Sequence, residues 1–581
     1  MTLRLRVGRL LALLLIVIAQ LGATPILAST PPAPTGTATA SATPTDAPPL
    51  TATATPIIDS TGTASPTATT ALDVGTTYVV TTTQNDYGPG TLRSAIANAH
   101  SGDTITFAPG LGPIVLRYSG YNTYDLTYFG SELRIPTNLT IVGPAGSAQT
   151  IDGNGTGSVF GIDPGVQAVL ANLAIVDGRA SGGGGGCDTG CPAGDGGGVR
   201  NGGMLTIDHS TISGNSAGGG GSYDGLGDLG GSGGGIANYG TLTINNSTIV
   251  RNSGGPGGGP FGPTSYVYVE GGPGGDGGGI ANYGSLTISQ TTIVSNSAGA
   301  GGNAFGDSNG DGMGGRGGDG GGIYNMGVVS ISDSTVADNT SGAGGQVYAS
   351  TTLGGSPPSP GPRGSDGAGG GIVNTGNGDT VTISDTIVAG NTAATSPDCA
   401  GNVTSGDYNL IQTISGCTMG GSAGHDIIGA DPLLGPLQDN GGPTYTMAPQ
   451  PGSPAVDYIP AASCGANADQ RGYPRPDDNE AFCNIGAVEG EISLSAATPT
   501  PAPPGTSTAT ATDTPSPTPT GTPSPTPILP SGEVAWHPSC RAARSPGIRT
   551  TVCASPTISA PVSTSPMGMS MWRRPVCASP V

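Results

Sequence analysis

Through the middle of the chain, β-branched and aliphatic residues alternate with small polar ones in short runs. "TLTI" is followed by "STIV", and the pair returns one block later. A period of two is the pattern of a strand with one buried face. Five such blocks align. They begin "GGGVRNGGMLTIDHSTISGNSA", "GGGIANYGTLTINNSTIVRNSG", "GGGIANYGSLTISQTTIVSNSA", "GGGIYNMGVVSISDSTVADNTS" and "GGGIVNTGNGDTVTISDTIVAGNTA". In the second block Leu242, Ile244 and Ile249 point inward, joined by Ile236 from a preceding short strand. Like residues above like would place Ile236, Ile280, Ile323 and Ile372 in one inward column.

Two asparagines mark each block. The first set is Asn201, Asn238, Asn282, Asn325 and Asn374; the second is Asn215, Asn252, Asn296, Asn339 and Asn391. Within a block they stand 14 residues apart four times and then 17, whereas from block to block the gap runs 23, 30, 29 and 35. One part of the repeat is rigid and the other elastic, as in a solenoid coil that carries variable loops. Three short strands and three corners per block describe one turn of a parallel β-helix, an all-β solenoid. A β-propeller blade needs four antiparallel strands, more than the fixed segment holds. Asn and Gly fall where corners need positive φ. "NS" or "NT" recurs at the second set in every block, so Asn215, Asn252, Asn296, Asn339 and Asn391 are expected to form a stacked amide ladder rather than only turns.

The elastic part is Gly-rich, as in "AGGGGSYDGLGDLGGSGGG". On this pattern it buries no core, lies to one side as a solvated loop, and is removable without loss of fold. It carries Tyr223, Tyr266, Tyr268, Asp224, Asp228 and Glu270, residues suited to sugar or cation contact.

Composition extends the picture beyond the repeats. Gly and Pro number 107 and 52 of 581 residues, which would read as disorder were it not for the blocks. Residues 29–73 and 490–530 are Thr/Pro-rich spacers. They bracket a β-helix domain over 74–489, with repeat coils at about 196–393 and a distinct region at 394–489. Residues 1–28 read as a signal peptide: Arg4, Arg6 and Arg9, then an apolar run from Leu10 to Leu21 too short to span a bilayer. No other stretch reads as a membrane-spanning helix. A secreted or cell-surface location follows as the expectation.

The chain has no lysine and a net charge of -21, which argues against nucleic-acid partners. An acidic exported surface suits extracellular polysaccharide, cell-surface components or divalent cations better. Among nine cysteines, Cys187 with Cys191, Cys399 with Cys417 and Cys464 with Cys483 lie close enough to close short disulfide loops.

Two further stretches carry a resemblance. "TLRSAIANAHSGDTITFAP" (Thr91 to Pro109) is similar to the opening of bacterial exported β-helix proteins. "DPLLGPLQDNGGPTYTMAPQPGSPAVD" (Asp431 to Asp457), "DQRGYPRP" (Asp469 to Pro476) and "CNIGAVE" (Cys483 to Glu489) resemble the choice-of-anchor Q domain family. The resemblance implies a right-handed parallel β-helix of pectate-lyase-like kind, exported and surface-associated, with no assigned activity, ligand or catalytic residue. The segment 531–581 departs from that family. "LPSG" (Leu529 to Gly532) falls short of a sortase signal, and "VCASP" occurs twice among five arginines and three cysteines. Either it is an unusual attachment segment or a shifted frame replaced the anchor; the abrupt change of composition favours the second.

Candidate chemistry is sparse. Lyases of this shape use a basic residue, but Arg200 and Arg251 occupy unlike positions in their blocks. A glycosidase needs two facing carboxylates, and Asp208, Asp333 and Asp385 are candidates at strand-end corners. His100, His209 and His425 show no metal-ligand spacing. Calcium has the better case. "GGPGGD" and "GGRGGD" match half of a calcium-binding nonapeptide, giving Asp276 and Asp319, with Asp195 and Asp366 in similar places. Gly278 and Gly321 stand where that motif needs a large apolar residue, so a turn Asp in a Gly loop is the competing account. No cofactor is expected beyond that calcium. The expected role is presentation and adhesin-like contact; the rivals are a polysaccharide-active enzyme and a passive surface-layer spacer.

Overall fold

The structure is a computed structural model. It describes residues 75–490 except 118–131, 184–192, 224–225, 260–268, 306–311, 349–360, 377 and 478–479. The chain divides into two units, 1–506 and 507–581, and the described residues all belong to the first. The signal segment, both spacers, the Cys187–Cys191 pair, Asp224, Tyr266 and Tyr268 lie outside the described residues, as does the Cys/Arg-containing tail.

Each block folds into three short strands, one per wall of a parallel β-helix. In the second block these are Ile236–Asn238, Thr241–Asn245 and Thr248–Val250. Successive blocks pair in parallel and in register: Ile236 with Ile280, Leu242 with Leu286, Ile249 with Ile293. Among the described residues the first two walls form one 18-stranded sheet, joined where Cys399–Ser405 pairs with both, and the third wall is a 10-stranded sheet. The predicted column of Ile236, Ile280, Ile323 and Ile372 is buried in a single core with Leu242, Ile244 and Ile249. At the first coil, the helix Leu92–Asn98 buries Leu92 and Ile96 and is N-capped by Thr91.

Both asparagine columns are ladders, not only the second. Asn201, Asn238, Asn282 and Asn325 each donate Nδ2 to the Oδ1 of the Asn one coil on, at 2.7 to 3.1 Å. Asn215, Asn252, Asn296 and Asn339 do the same at 2.9 Å, and Asn391 ends the run on the Asp398 carboxylate at 2.9 Å. None of these ten asparagines has positive φ. The left-handed corners belong instead to varied residues: His209, Asn246, Gln290, Asp333 and Asp385 after the middle strands, and Arg251, Ser295 and Asp338 after the third. The repeated Asn is therefore fixed by its amide and not by turn geometry.

The glycine-rich segments are not solvated loops. Each leaves the coil, returns beside itself, and packs against its neighbours as a two-layered wing. Gly255, Gly275, Gly299, Gly318, Gly342 and Gly367 pass N–H···O=C bonds in a zigzag between outgoing and returning runs, at 2.8 Å. Three residues further out Gly258, Gly272, Gly302, Gly315, Gly345 and Gly364 repeat it at 2.7 to 2.9 Å. Between them, Gly257 bonds to Ala300 and Gly274 to Arg316 in the next coil. A three-residue period is that of polyproline II, whose backbone groups are free to bond outward. The third position of each turn faces solvent, which is why it accepts Pro256 and Pro273, residues without an N–H. The layers approach so closely that a Cβ on Gly258 would lie 1.7 Å from the Gly221 carbonyl oxygen. This corrects the expectation that the segments bury nothing and can be deleted freely. Removing one run strips buried partners from the next.

Residues 431–477 and 480–490 return along the third wall as a cap. Gln470 donates Nε2 to Ser247 O, Thr248 Oγ1 and Thr444 Oγ1 at 2.9 to 3.0 Å and accepts from Thr292 Oγ1 at 2.6 Å. Disulfides join Cys464 to Cys483 within the cap and Cys399 to Cys417 in the last coils.

Candidate functional site

Asp195, Asp276 and Asp319 fall in one column, where each returning run re-enters the first wall. The same position is Ser232 and Ala368 in the other two blocks. Their carboxylates act as rungs. Ser232 N donates to Asp195 Oδ1 at 2.7 Å, Asp319 N to Asp276 Oδ1 at 2.7 Å, and Ala368 N to Asp319 Oδ1 at 2.6 Å. Asp366 does not belong with them. It stands two residues earlier, bonds to Gly344 N at 2.7 Å and pairs with Arg363 at 2.5 Å. Among the described residues no three His, Cys, Asp or Glu converge as a metal would require.

Beside this column the repeated "NYG" brings aromatic rings together. Tyr239 and Tyr283 stack at 4.9 Å between centroids and 9° between planes. The Tyr239 hydroxyl donates to the Asp195 carboxylate, and Arg316 binds Asp319 at 2.5 and 2.6 Å. Burial, reinforced by the charge of Asp319 and opposed by that residue's N–H and by Arg316, pushes Asp276 up to about 6. Burial likewise pushes Tyr283 up to about 12 and raises Tyr239 and Tyr324. Near neutral pH the facet thus offers un-ionised phenols next to carboxylates and guanidinium groups, a set able to donate and accept hydrogen bonds toward a hydroxyl-rich ligand. The signal for this facet was present in the sequence as the same aromatic letter in two consecutive blocks.

The catalytic candidates separate. Asp208 pairs with its neighbour His209 at 2.8 Å and accepts from Asn246. Asp333 and Asp385 do meet: a Cβ on Gly465 would lie 2.9 Å from the first and 2.6 Å from the second. Yet both are buried beneath the cap, and Asp333 lies against Arg475. Arg200 pairs with Glu132 at 3.3 Å, and Arg251 occupies a left-handed corner. His100 and His425 pair separately with Asp103 and Asp407. The outer face of the second wall carries a shallow cavity of about 520 Å³ lined by Asn138, Gln167, Met204, Thr206, Thr241 and Thr243. None of its lining side chains is acidic or basic, so it holds no acid or base for bond cleavage.

No family model matches the chain, and no curated protein matches it. Among solved structures, a crystal structure of the pectate lyase Pel9A aligns over 72% of this chain and 96% of its own, at 11% identity and a TM-score of 0.30.

Proposed function

We propose that this chain is an exported, adhesin-like display protein of the choice-of-anchor Q kind, whose rigid wing and facet contact extracellular polysaccharide or cell-surface components. The observation that carries this reading is the solvent-facing row at every third position of the wing. Pro273, Arg316 and Ser365 stand in line on the returning layer and Pro256, Ala300 and Ala343 on the outgoing one, one side chain per coil. A backbone lattice already ordered loses little further entropy on binding, and many weak contacts in register add. The two disulfides suit an oxidising compartment, and no described helix is long and apolar enough to cross a membrane.

The test is a glycan array and a cell-surface attachment assay on the full chain. It is compared with a variant that changes only the outward row, Pro273→Glu, Arg316→Glu and Ser365→Glu. Attachment lost with unchanged thermal stability supports the reading; unchanged attachment leaves the wing as a spacer.

A polysaccharide-active enzyme is the second reading. One observation favours it: Asp276 and Asp319 are one coil apart, roughly 5 Å along the stack, beside stacked tyrosines. Release of reducing ends or unsaturated products by the wild type and not by Asp276→Asn would establish it.

A further inference from the structure

The cap is fastened to the third wall through a buried ionic cluster whose charges do not match. Arg475 is fully buried and reaches Asp333 at 3.2 Å and Glu489 at 3.1 Å, both nearly inaccessible. Neither contact is aligned as a hydrogen bond, since Asp333 Oδ1 and Arg475 Nε lack one. The same guanidinium also donates to the carbonyls of Gly486 and Asn484, so its donors are divided. Asp385 comes from the corner one coil beyond Asp333 and borders the same point beside Gly465. Among the described residues the surrounding elements add no cation to balance it. Asp407 faces Asp385 from the last coils but is already bonded to His425 at 2.6 Å. Asp469 and Asp477 face Glu489 from the cap, and the only other cap guanidinium, Arg471, is committed to Asp469 at 2.7 Å.

We propose that the cap is a proton-dependent latch: one buried guanidinium holds three buried carboxylates only while at least one of them carries a proton, and loss of that proton releases residues 467–477 and 480–489 from the wall. Wall and cap each contribute part of the cluster, so its repulsion falls on the seam between them. The groups behave accordingly. Burial first, then the neighbouring charge of Asp333, pushes Asp385 up to about 7. Burial likewise pushes Glu489 up to about 7 against the attraction of Arg475, and raises Asp333. A carboxyl whose folded value is raised contributes its stability fully below its unfolded value, near 4. That contribution is lost as pH rises through the folded value. The latch is therefore seated in mild acid and loosened through pH 7 and above.

The test is amide hydrogen exchange on the full chain at pH 6.0 and 8.5, referenced to intrinsic exchange rates. Protection of residues 467–477 and 480–489 should fall about tenfold or more, the scale set by one pH unit of titration, while residues 199–213 of the first repeat coil keep theirs. In Asp385→Asn the fall should vanish. Glu489→Gln is the second variant and should flatten the same profile if Asp385→Asn does not fold. Equal wild-type protection at both pH values overturns the latch. So does an undiminished fall in a folded variant.

Discussion

Asn252 stands directly above Asn296 inside the corner of two walls, and its Nδ2 donates to the Asn296 Oδ1 at 2.9 Å. The Asn252 backbone N–H reaches the same oxygen at 3.0 Å. Asn296 in turn donates to Ile249 O at 3.0 Å and Asn339 Oδ1 at 2.9 Å. One side chain thus satisfies four buried groups in the two coils that flank its own. Asn296→Ala should cost about 3 to 5 kcal/mol, because several buried polar groups lose partners at once. Urea unfolding of the wild type and variant measures it; Thr243→Ser on the outer wall serves as a control expected to stay within about 0.5 kcal/mol.

Gly258→Ala should disrupt the wing. A Cβ there has only 1.7 Å to the Gly221 carbonyl oxygen, with backbone on both sides. The expected loss is about 3 kcal/mol or more, at the upper end for overpacking. Pro256→Ala, two residues away on the exposed row, should change stability by less than about 1 kcal/mol. Thermal melts of the two variants should diverge; equal melting points would refute the lattice.

Ile280→Asp places a carboxylate between Ile236 and Ile323, in a fully buried apolar column. It should cost several kcal/mol, or fail to accumulate as folded protein. Circular dichroism and export yield would report it.

The Cys464–Cys483 bridge closes a loop with a sequence separation of 19 across the cap. Cys483→Ala should destabilise by about 3 kcal/mol on loop-entropy grounds. Non-reducing peptide mapping should recover this bridge and Cys399–Cys417. The Cys187–Cys191 pairing is an independent question for the same experiment.

The coil was legible because strand alternation is written in large side chains, and a column such as Ile236 to Ile372 needs the same letter at each step. The wing was not legible, because its order depends on side chains that are absent. A run such as "GGPGGD" has the composition of a flexible loop, and only its three-residue period, with Pro at the exposed place, distinguishes a lattice. The place of Asp276 before "GGG" also makes it a rung to the next coil's N–H, a role the half-motif does not announce; Asp366, in a similar sequence setting, bonds to Gly344 instead. The family-like motif "DQRGYPRP" carries no sign of burial in its polar letters. Gln470, Arg471 and Arg475 are instead spent on fastening the cap, something visible only once residues more than 200 positions apart, such as Gln470 and Ser247, are adjacent.

The cap also behaves as a gauge. Thr444 meets Asn246 and Gln470 meets Thr248 on one coil; Gln470 meets Thr292, Ala487 meets Thr335 and Gly486 packs on Ile387 on the three coils that follow in turn. Duplicating a block beneath this footprint would throw every later contact out of step by one coil's rise. Duplicating one upstream, before Gly233, would lengthen the solenoid by the same rise and leave each contact in place. The gene is therefore free to set the reach of this protein in whole coils, but only from its N-terminal side.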